Sequence, residues 1–306
     1  MKKRLRPIAV AGIISVLLLS WQGPAPRDFH AALVQRSMYK DVDPIVNVYA
    51  PDGLDVRSHL DKMELARGRA SDTLTGQVAA WATLVAHHEK RIAYRQVLKG
   101  ATRDLSLLDV RAFTLAPGQE TPVGDIKEDQ LIIVKEGNLT ISVIKDQKVL
   151  GPGGVALFTS DDFFVLGNKG GSAVTYYVFQ FRSRGAKDSV RAMQAGSHFM
   201  LDWPDMVMKK TDKGESRPIF SRPVAWLGKI DMHATTLNAG EVSHAPHVHR
   251  AEEIILMRSG DVRMYINGKY FPATAGDLIF LPSGVPHALE NQGTGRCEYF
   301  ALQWEL

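Results

Sequence analysis

The sequence predicts a mainly β protein: two similar strand-built modules in tandem, preceded by a short helical region. Three observations carry that prediction. After Gly100 the chain breaks into short runs of alternating apolar residues, LLDVRAFTL, QLIIVKEG, LTISVI, GVALFT and AVTYYVFQF, cut by Gly, Pro and Asn turn signals, which is the period-two pattern of half-buried strands. The pattern then repeats. DVRAFTLAPG at 109–118 pairs with DMHATTLNAG at 231–240, LIIVKEGNLTISV with EIILMRSGDVRMYI, and NKGGSAVTYYVFQF at 168–181 with NQGTGRCEYFALQW at 291–304. The spacings from Asp to Gly and from Asn to the last aromatic are the same in both copies, so each copy reads as one structural unit. Finally, 306 residues of which 45% are hydrophobic suffice for two cores.

The elements follow in order. Residues 1–25 have a basic head, MKKRLR, and then an apolar stretch of about 14 residues, shorter than the roughly 20 of a membrane-spanning helix. This reads as a secretory signal, which makes the protein exported, periplasmic or extracellular. The small pair Gly23 and Ala25 is followed by Pro26, so an uncleaved N-terminal membrane anchor is the alternative. Lys2, Lys3, Arg4 and Arg6 account for the formal net charge of +4, so a chain cut after Ala25 is near neutral. That charge, and the lack of a helix-turn-helix pattern, exclude nucleic acid as the expected partner.

Residues 33–100 read as a helical region. Within it, GQVAAWATLVAHHEKRIAYRQVL places Val78, Trp81, Val85 and Ile92 at near-helical spacing, with His87 and His88 on a solvated face. Residues 101–183 are the first β-module, 184–223 a charged connector and 224–306 the second module. Cys297, the one cysteine, reads as a small buried hydrophobe without a function.

Chemistry concentrates in HAPHVHRAEE, residues 244–253. In an extended segment alternate residues share a face, so His247, His249 and Glu253 project together. Pro282, Gly284 and Pro286 force a turn that delivers His287 at the start of another strand. Imidazoles and a carboxylate suit one borderline divalent ion, Mn, Fe, Co, Ni or Zn, and not a Cys-rich structural zinc site. Glu252, of opposite parity, reads as a surface or interface charge. His244 is expected in a loop at the pocket mouth, and His30, His59, His198 and His233 are assigned no ligand role. Tyr299, Gln303 and Tyr265 are the polar strand residues that could assist, their facing left open.

The spacing HxH, three residues, Glu, six residues, Gly over His247–Gly260 resembles the first motif of the cupin superfamily. The second motif, Gly, five residues, Pro-x-Gly, two residues, His, three residues, Asn, is met from Gly276 to Asn291. Only the lead-in glycine departs, Gly240 lying one residue further from His247 than the usual pattern. The resemblance covers about the last two-thirds of the chain as a bicupin. It implies two tandem cupin barrels of the double-stranded β-helix, or jelly-roll, type, and carries metal-ligand roles onto His247, His249, Glu253 and His287.

In the first module the matching positions hold Gly124, Ile126 and Gln130, with Phe164 or Val165 in place of the last histidine. That barrel is expected to bind no metal and to be structural, or to shape the second pocket. The layout is similar to that of ureidoglycine aminohydrolases, although that group is similar in using Glu, His, His and Gln as ligands. The resemblance thus implies one divalent transition metal, a small-molecule ligand, and either a homodimer or pairing of the two barrels within the chain. Three functions fit: a hydrolase or lyase-like enzyme of a small polar carboxylate or amide holding Mn or Zn, a dioxygenase holding Fe or Ni, or a non-enzymatic sugar or small-molecule binder.

Overall fold

A computed structural model describes residues 73–306, apart from Lys90, Arg91, Asp125, Lys145, Asp161 and Ser197, together with the two-residue strand Val46–Asn47. The expected signal segment, His30 and His59 lie outside the described residues. Among those described, no helix is long and apolar enough to cross a membrane.

Both modules are two-sheet jelly rolls, and every ladder between their named strands is antiparallel. The first stacks a four-stranded sheet (Glu120–Val123, Phe164–Gly167, Leu139–Val143, Asp146–Leu150) on a seven-stranded one that includes Leu105–Leu115, Val174–Ser183 and Asp129–Glu136. The second stacks a five-stranded sheet, with His247–Val248, His287–Asn291 and Asp261–Ile266, on a seven-stranded one that includes Lys229–Leu237, Cys297–Glu305 and Glu252–Ser259.

Strand alternation sorts the core into three parts. One face of the first module's strands, with Leu115, Ile132, Phe158, Phe164 and Tyr176, fills that barrel. In the second module Ile255, Met257, Met264, Leu281 and Tyr299 do the same. The opposite faces of the two seven-stranded sheets supply one continuous cluster, in which Leu108, Val110, Phe179 and Phe181 of the first barrel join Ile254, Phe280, Leu302 and Trp304 of the second. The barrels therefore pair with each other within one chain, back to back.

The helix expected between Gly76 and Leu98 is absent. That stretch forms the strand Gln77–Ala79, a single 3-10 turn at Trp81–Thr83, and the strands His87–Glu89 and Ile92–Gly100. Val85, assigned to the apolar face, is 69% exposed. Helical spacing lost to tertiary pairing: Ile92–Gly100 bonds along Leu105–Leu115, while Gln77–Ala79 crosses over and pairs with Leu278–Leu281 of the second barrel. The connector repays the exchange, since its strand His198–Leu201 pairs with Val155–Phe158 of the first barrel. The repeat thus extends upstream of both modules, and each barrel borrows an edge strand that precedes the other. The strand Gly214–Arg222, also from the expected connector, belongs to the second barrel's large sheet.

Two buried carboxylates tie the barrels together. Glu252 is 1% exposed and accepts from Thr102 Oγ1 at 2.5 Å, Arg103 N at 3.0 Å and Trp304 Nε1 at 3.2 Å. It does face away from His247 and His249, but into the interface between barrels and not to solvent. Asp129, at the same place in the first repeat, accepts from Ser160 N at 2.9 Å and Trp226 N at 2.7 Å.

Candidate functional site

The second barrel's interior has its polar groups at one end. His247 begins a two-residue strand and pairs directly with His287 across the small sheet. His249 follows two residues later, and Glu253 sits on the adjoining large-sheet strand opposite Gln303. The intervening turn is set by Gly284, whose φ of 72° lies where L side chains are strained, and whose N–H donates to His249 O at 2.9 Å. The motif's final residue, Asn291, is structural. Its Nδ2 donates to the carbonyls of Leu237, Asn238 and Gly295 at 2.9–3.0 Å, and Asn168 does the same for Leu115 and Ser172 in the first barrel.

All four residues expected as ligands converge. One nitrogen from each of His247, His249 and His287 lies within 4.8 Å of the others, and Glu253 Oε2 stands 3.5 Å from His249 Nε2 and 3.3 Å from His287 Nε2. Each side chain is at most 6% exposed. The tautomers follow from the outer contacts, because a carbonyl only accepts. His287 Nδ1 lies 2.7 Å from Val285 O, His249 Nδ1 2.8 Å from Ala251 O and His247 Nδ1 3.3 Å from Ala245 O. The protons sit on Nδ1, so the Nε2 lone pairs point inward.

Nε2 of His249 and of His287 are buried without a hydrogen-bond partner. Lone pairs facing a carboxylate oxygen at this range repel unless a cation lies among them. Burial favours the neutral carboxyl of Glu253, and only N–H donation and positive charge from His249 and His287, or a cation standing in their place, hold it below the usual range. Burial, with the neighbouring His244 and His287, keeps His247 neutral and able to ligate. The arrangement fits a divalent cation: three oriented imidazoles, one carboxylate, and Gln303 Nε2 donating to the second oxygen of Glu253 at 3.3 Å.

Other side chains complete the site. Gln303 and Tyr299 face inward on the last strand, whereas Tyr265 points out and packs edge-on against Tyr270 at 5.3 Å. His233 and His244, assigned no ligand role from sequence, lie beside the cluster. His244 packs edge-to-face on His247 with ring centroids 3.9 Å apart, and burial, then the nearby His287, hold it down at about 3. His233 is 9% exposed and shares the inward face of its strand with Thr235, opposite Ala301 between Tyr299 and Gln303. Burial lowers its pKa while Glu253 and Asp231 pull the other way. His198 lies apart from the site, in the borrowed strand, its ring stacked on Phe158. His87 and His88 are exposed, as expected for a solvated face. Cys297 is buried against Gly260, its thiol pushed up to about 11 by burial.

The first barrel lacks these ligands. Gln130 occupies the register position of Glu253 and Gln180 that of Gln303. Counted along the Phe164–Gly167 strand, Phe164 and not Val165 replaces His287, and it stacks on Phe158 at 3.7 Å in the core.

Among known proteins, residues 234–302 match the family model described as a cupin domain. Curated proteins show no match. Solved structures resemble the whole two-barrel region. A Cupin 2 conserved barrel domain protein from Leptotrichia buccalis is 15% identical with a TM-score of 0.54, over 77% of this chain and 100% of that one. The oxalate decarboxylase of Lactobacillus farciminis, in a formate complex, is 13% identical with a TM-score of 0.59, over 76% and 87%. A Bacillus subtilis oxalate decarboxylase is 16% identical with a TM-score of 0.57, over 78% and 80%. At these identities the likeness is one of fold.

Proposed function

We propose that the chain is a two-barrel cupin, on the cupin-domain match of residues 234–302, and that its second barrel is a mononuclear metal centre of an exported enzyme acting on a small polar carboxylate or amide. His247, His249, Glu253 and His287 hold the ion. The observation that carries this is the pair of buried, inward-aimed Nε2 atoms of His249 and His287 beside an anionic Glu253. The expected reaction is lyase-like or hydrolytic, and the structural likeness to oxalate decarboxylases supports a carboxylate as substrate.

A divalent ion supplies Lewis acidity, polarising a carbonyl or carboxylate oxygen and offsetting the charge that develops there. The chain's own residues do the rest. The Nδ1 contacts of the three histidines fix their rings, and Gln303 fixes Glu253. Tyr299 Oη stays protonated because burial raises its pKa, so it donates a hydrogen bond to a substrate oxygen and is not a base. His233 is positioned to take or return a proton at a ring nitrogen. Ile255, Met257, Met264 and Leu281 wall the site with apolar surface, which strengthens every charge interaction inside it.

Elemental analysis of protein purified without a metal-affinity column tests the reading. The expected result is one equivalent of Mn or Zn, absent from the His247→Ala/His249→Ala variant, with turnover of small carboxylates that consumes no oxygen. Stoichiometric Fe or Ni with oxygen uptake would make the protein a dioxygenase, and a metal-free, catalytically silent parent would make it a binding module.

A further inference from the structure

The first barrel keeps the geometry of the second barrel's site and changes its chemistry. Gln130 and Gln180 face each other across two antiparallel strands, the same placement that Glu253 and Gln303 have. Arg111 occupies the position of His233, opposite Val178 as His233 is opposite Ala301. The core side chains leave one end of this interior open. A cavity of about 250 Å³ is lined by Gln130, Gln180, Arg111 and Thr121 at its polar part and by apolar residues including Phe113 and Tyr176.

Gln130 is only 4% exposed, yet among the described residues neither its amide nor that of Gln180 has a hydrogen-bond partner. Both amides line the open space of the cavity, the placement of a group that meets a ligand or ordered water. Charge narrows the choice. Asp109, 2% exposed, binds Arg111 through two contacts at 2.7 and 3.2 Å and Lys99 at 3.3 Å, and Gln96 Nε2 donates to it at 2.9 Å. Arg111, Lys99 and Asp109 together carry one net positive charge; of the three only Arg111 lines the cavity, and Lys99 is 53% exposed. The volume is below the roughly 300–1,000 Å³ of drug-sized sites, so the occupant is small. Phe113 and Tyr176, stacked with centroids 5.9 Å apart, offer it a flat apolar wall.

We propose that the first barrel is a second, metal-free binding site for a small organic monocarboxylate with an apolar body, its carboxylate meeting Gln130, Gln180 and Arg111. The inference does not rest on the metal centre.

The test uses the full chain carrying His247→Ala and His249→Ala, so that no ion in the second barrel can hold a carboxylate, with benzoate as probe and toluene as its uncharged control. Calorimetric titration should show one saturable equivalent of benzoate, bound at least tenfold more tightly than toluene. Adding Gln130→Leu and Gln180→Leu should weaken benzoate at least tenfold. Should that variant fail to fold by circular dichroism, Arg111→Gln replaces it with the same expected loss. Absence of saturable binding, toluene bound as tightly as benzoate, or full retention in the first-barrel variants would each overturn the proposal.

Discussion

Gln303 shows how much of the site depends on a residue that need not touch a metal. Its amide holds the second oxygen of Glu253, and outer contacts of this kind are worth about 10–100-fold in metal affinity. Gln303→Leu is expected to weaken metal binding by that factor with little change in melting temperature, as competition with a chelator would measure. His287→Ala removes a ligand and is expected to abolish stoichiometric metal, while circular dichroism stays that of the parent. Loss of the fold in either variant would show the side chain to be structural. His247, His249 and Glu253 were legible because they crowd one short segment, and His287 because turn residues and cupin-like spacing point to it, although the chain changes sheets between His247 and Glu253. His244 was legible only as a loop residue at the pocket mouth and His233 not at all, since their contacts with the cluster depend on a loop path and on strand register, neither of which local pattern encodes.

At the scale of elements, the borrowed strands matter most. Gln77–Ala79 completes the second barrel's large sheet beside Leu278–Leu281, which leads into the turn that carries His287. The anchor is Asp277, 4% exposed, whose carboxylate accepts Trp81 N at 2.7 Å and Thr274 N at 2.8 Å. Asp277→Ala leaves both N–H groups without that acceptor. A loss of about 2–4 kcal/mol is expected, together with proteolytic nicking between residues 73 and 89 before either barrel is cut. Denaturant unfolding and limited proteolysis check this, and unchanged protection of the segment would refute it. Trp81 shows why the segment misled. It lies between Arg95 and Lys135 at 4.9 and 4.6 Å and meets Tyr177 edge-on at 5.7 Å, so it packs as an amphipathic helix residue would, but from a 3-10 turn.

At the scale of the molecule, the back-to-back sheets make the two barrels one folding unit. The second module alone, residues 224–306, would expose Ile254, Phe280, Leu302 and Trp304 and lack its borrowed strand. It is expected to be insoluble or aggregated where the full chain gives one cooperative calorimetric transition, and a soluble, metal-binding fragment would contradict this. Asp129 couples the same interface to pH. Burial, partly offset by the N–H groups of Trp226 and Ser160, raises its pKa from 3.8 to about 6. A raised carboxyl contributes stability that is full below the unfolded pKa and lost as pH rises through the folded one. Between pH 4 and pH 8 the parent should therefore lose on the order of 3 kcal/mol relative to Asp129→Asn, which cannot ionise. Parallel stability curves for the two proteins would exclude the effect.

The tandem repeat, the β character of each copy and the crowding of His247, His249 and Glu253 are local properties, readable from periodicity and spacing inside short segments. His287 as fourth partner, and the loss of the set from the first barrel, were readable through the spacing that resembles the cupin motifs. Three-dimensional packing settles which barrel the strands upstream of each module join, that Glu252 is buried between barrels, and that Gln130 and Gln180 face an open cavity. Those outcomes depend on pairings between residues far apart in the chain, where competition among sheet edges and burial against a second core outweigh local propensity.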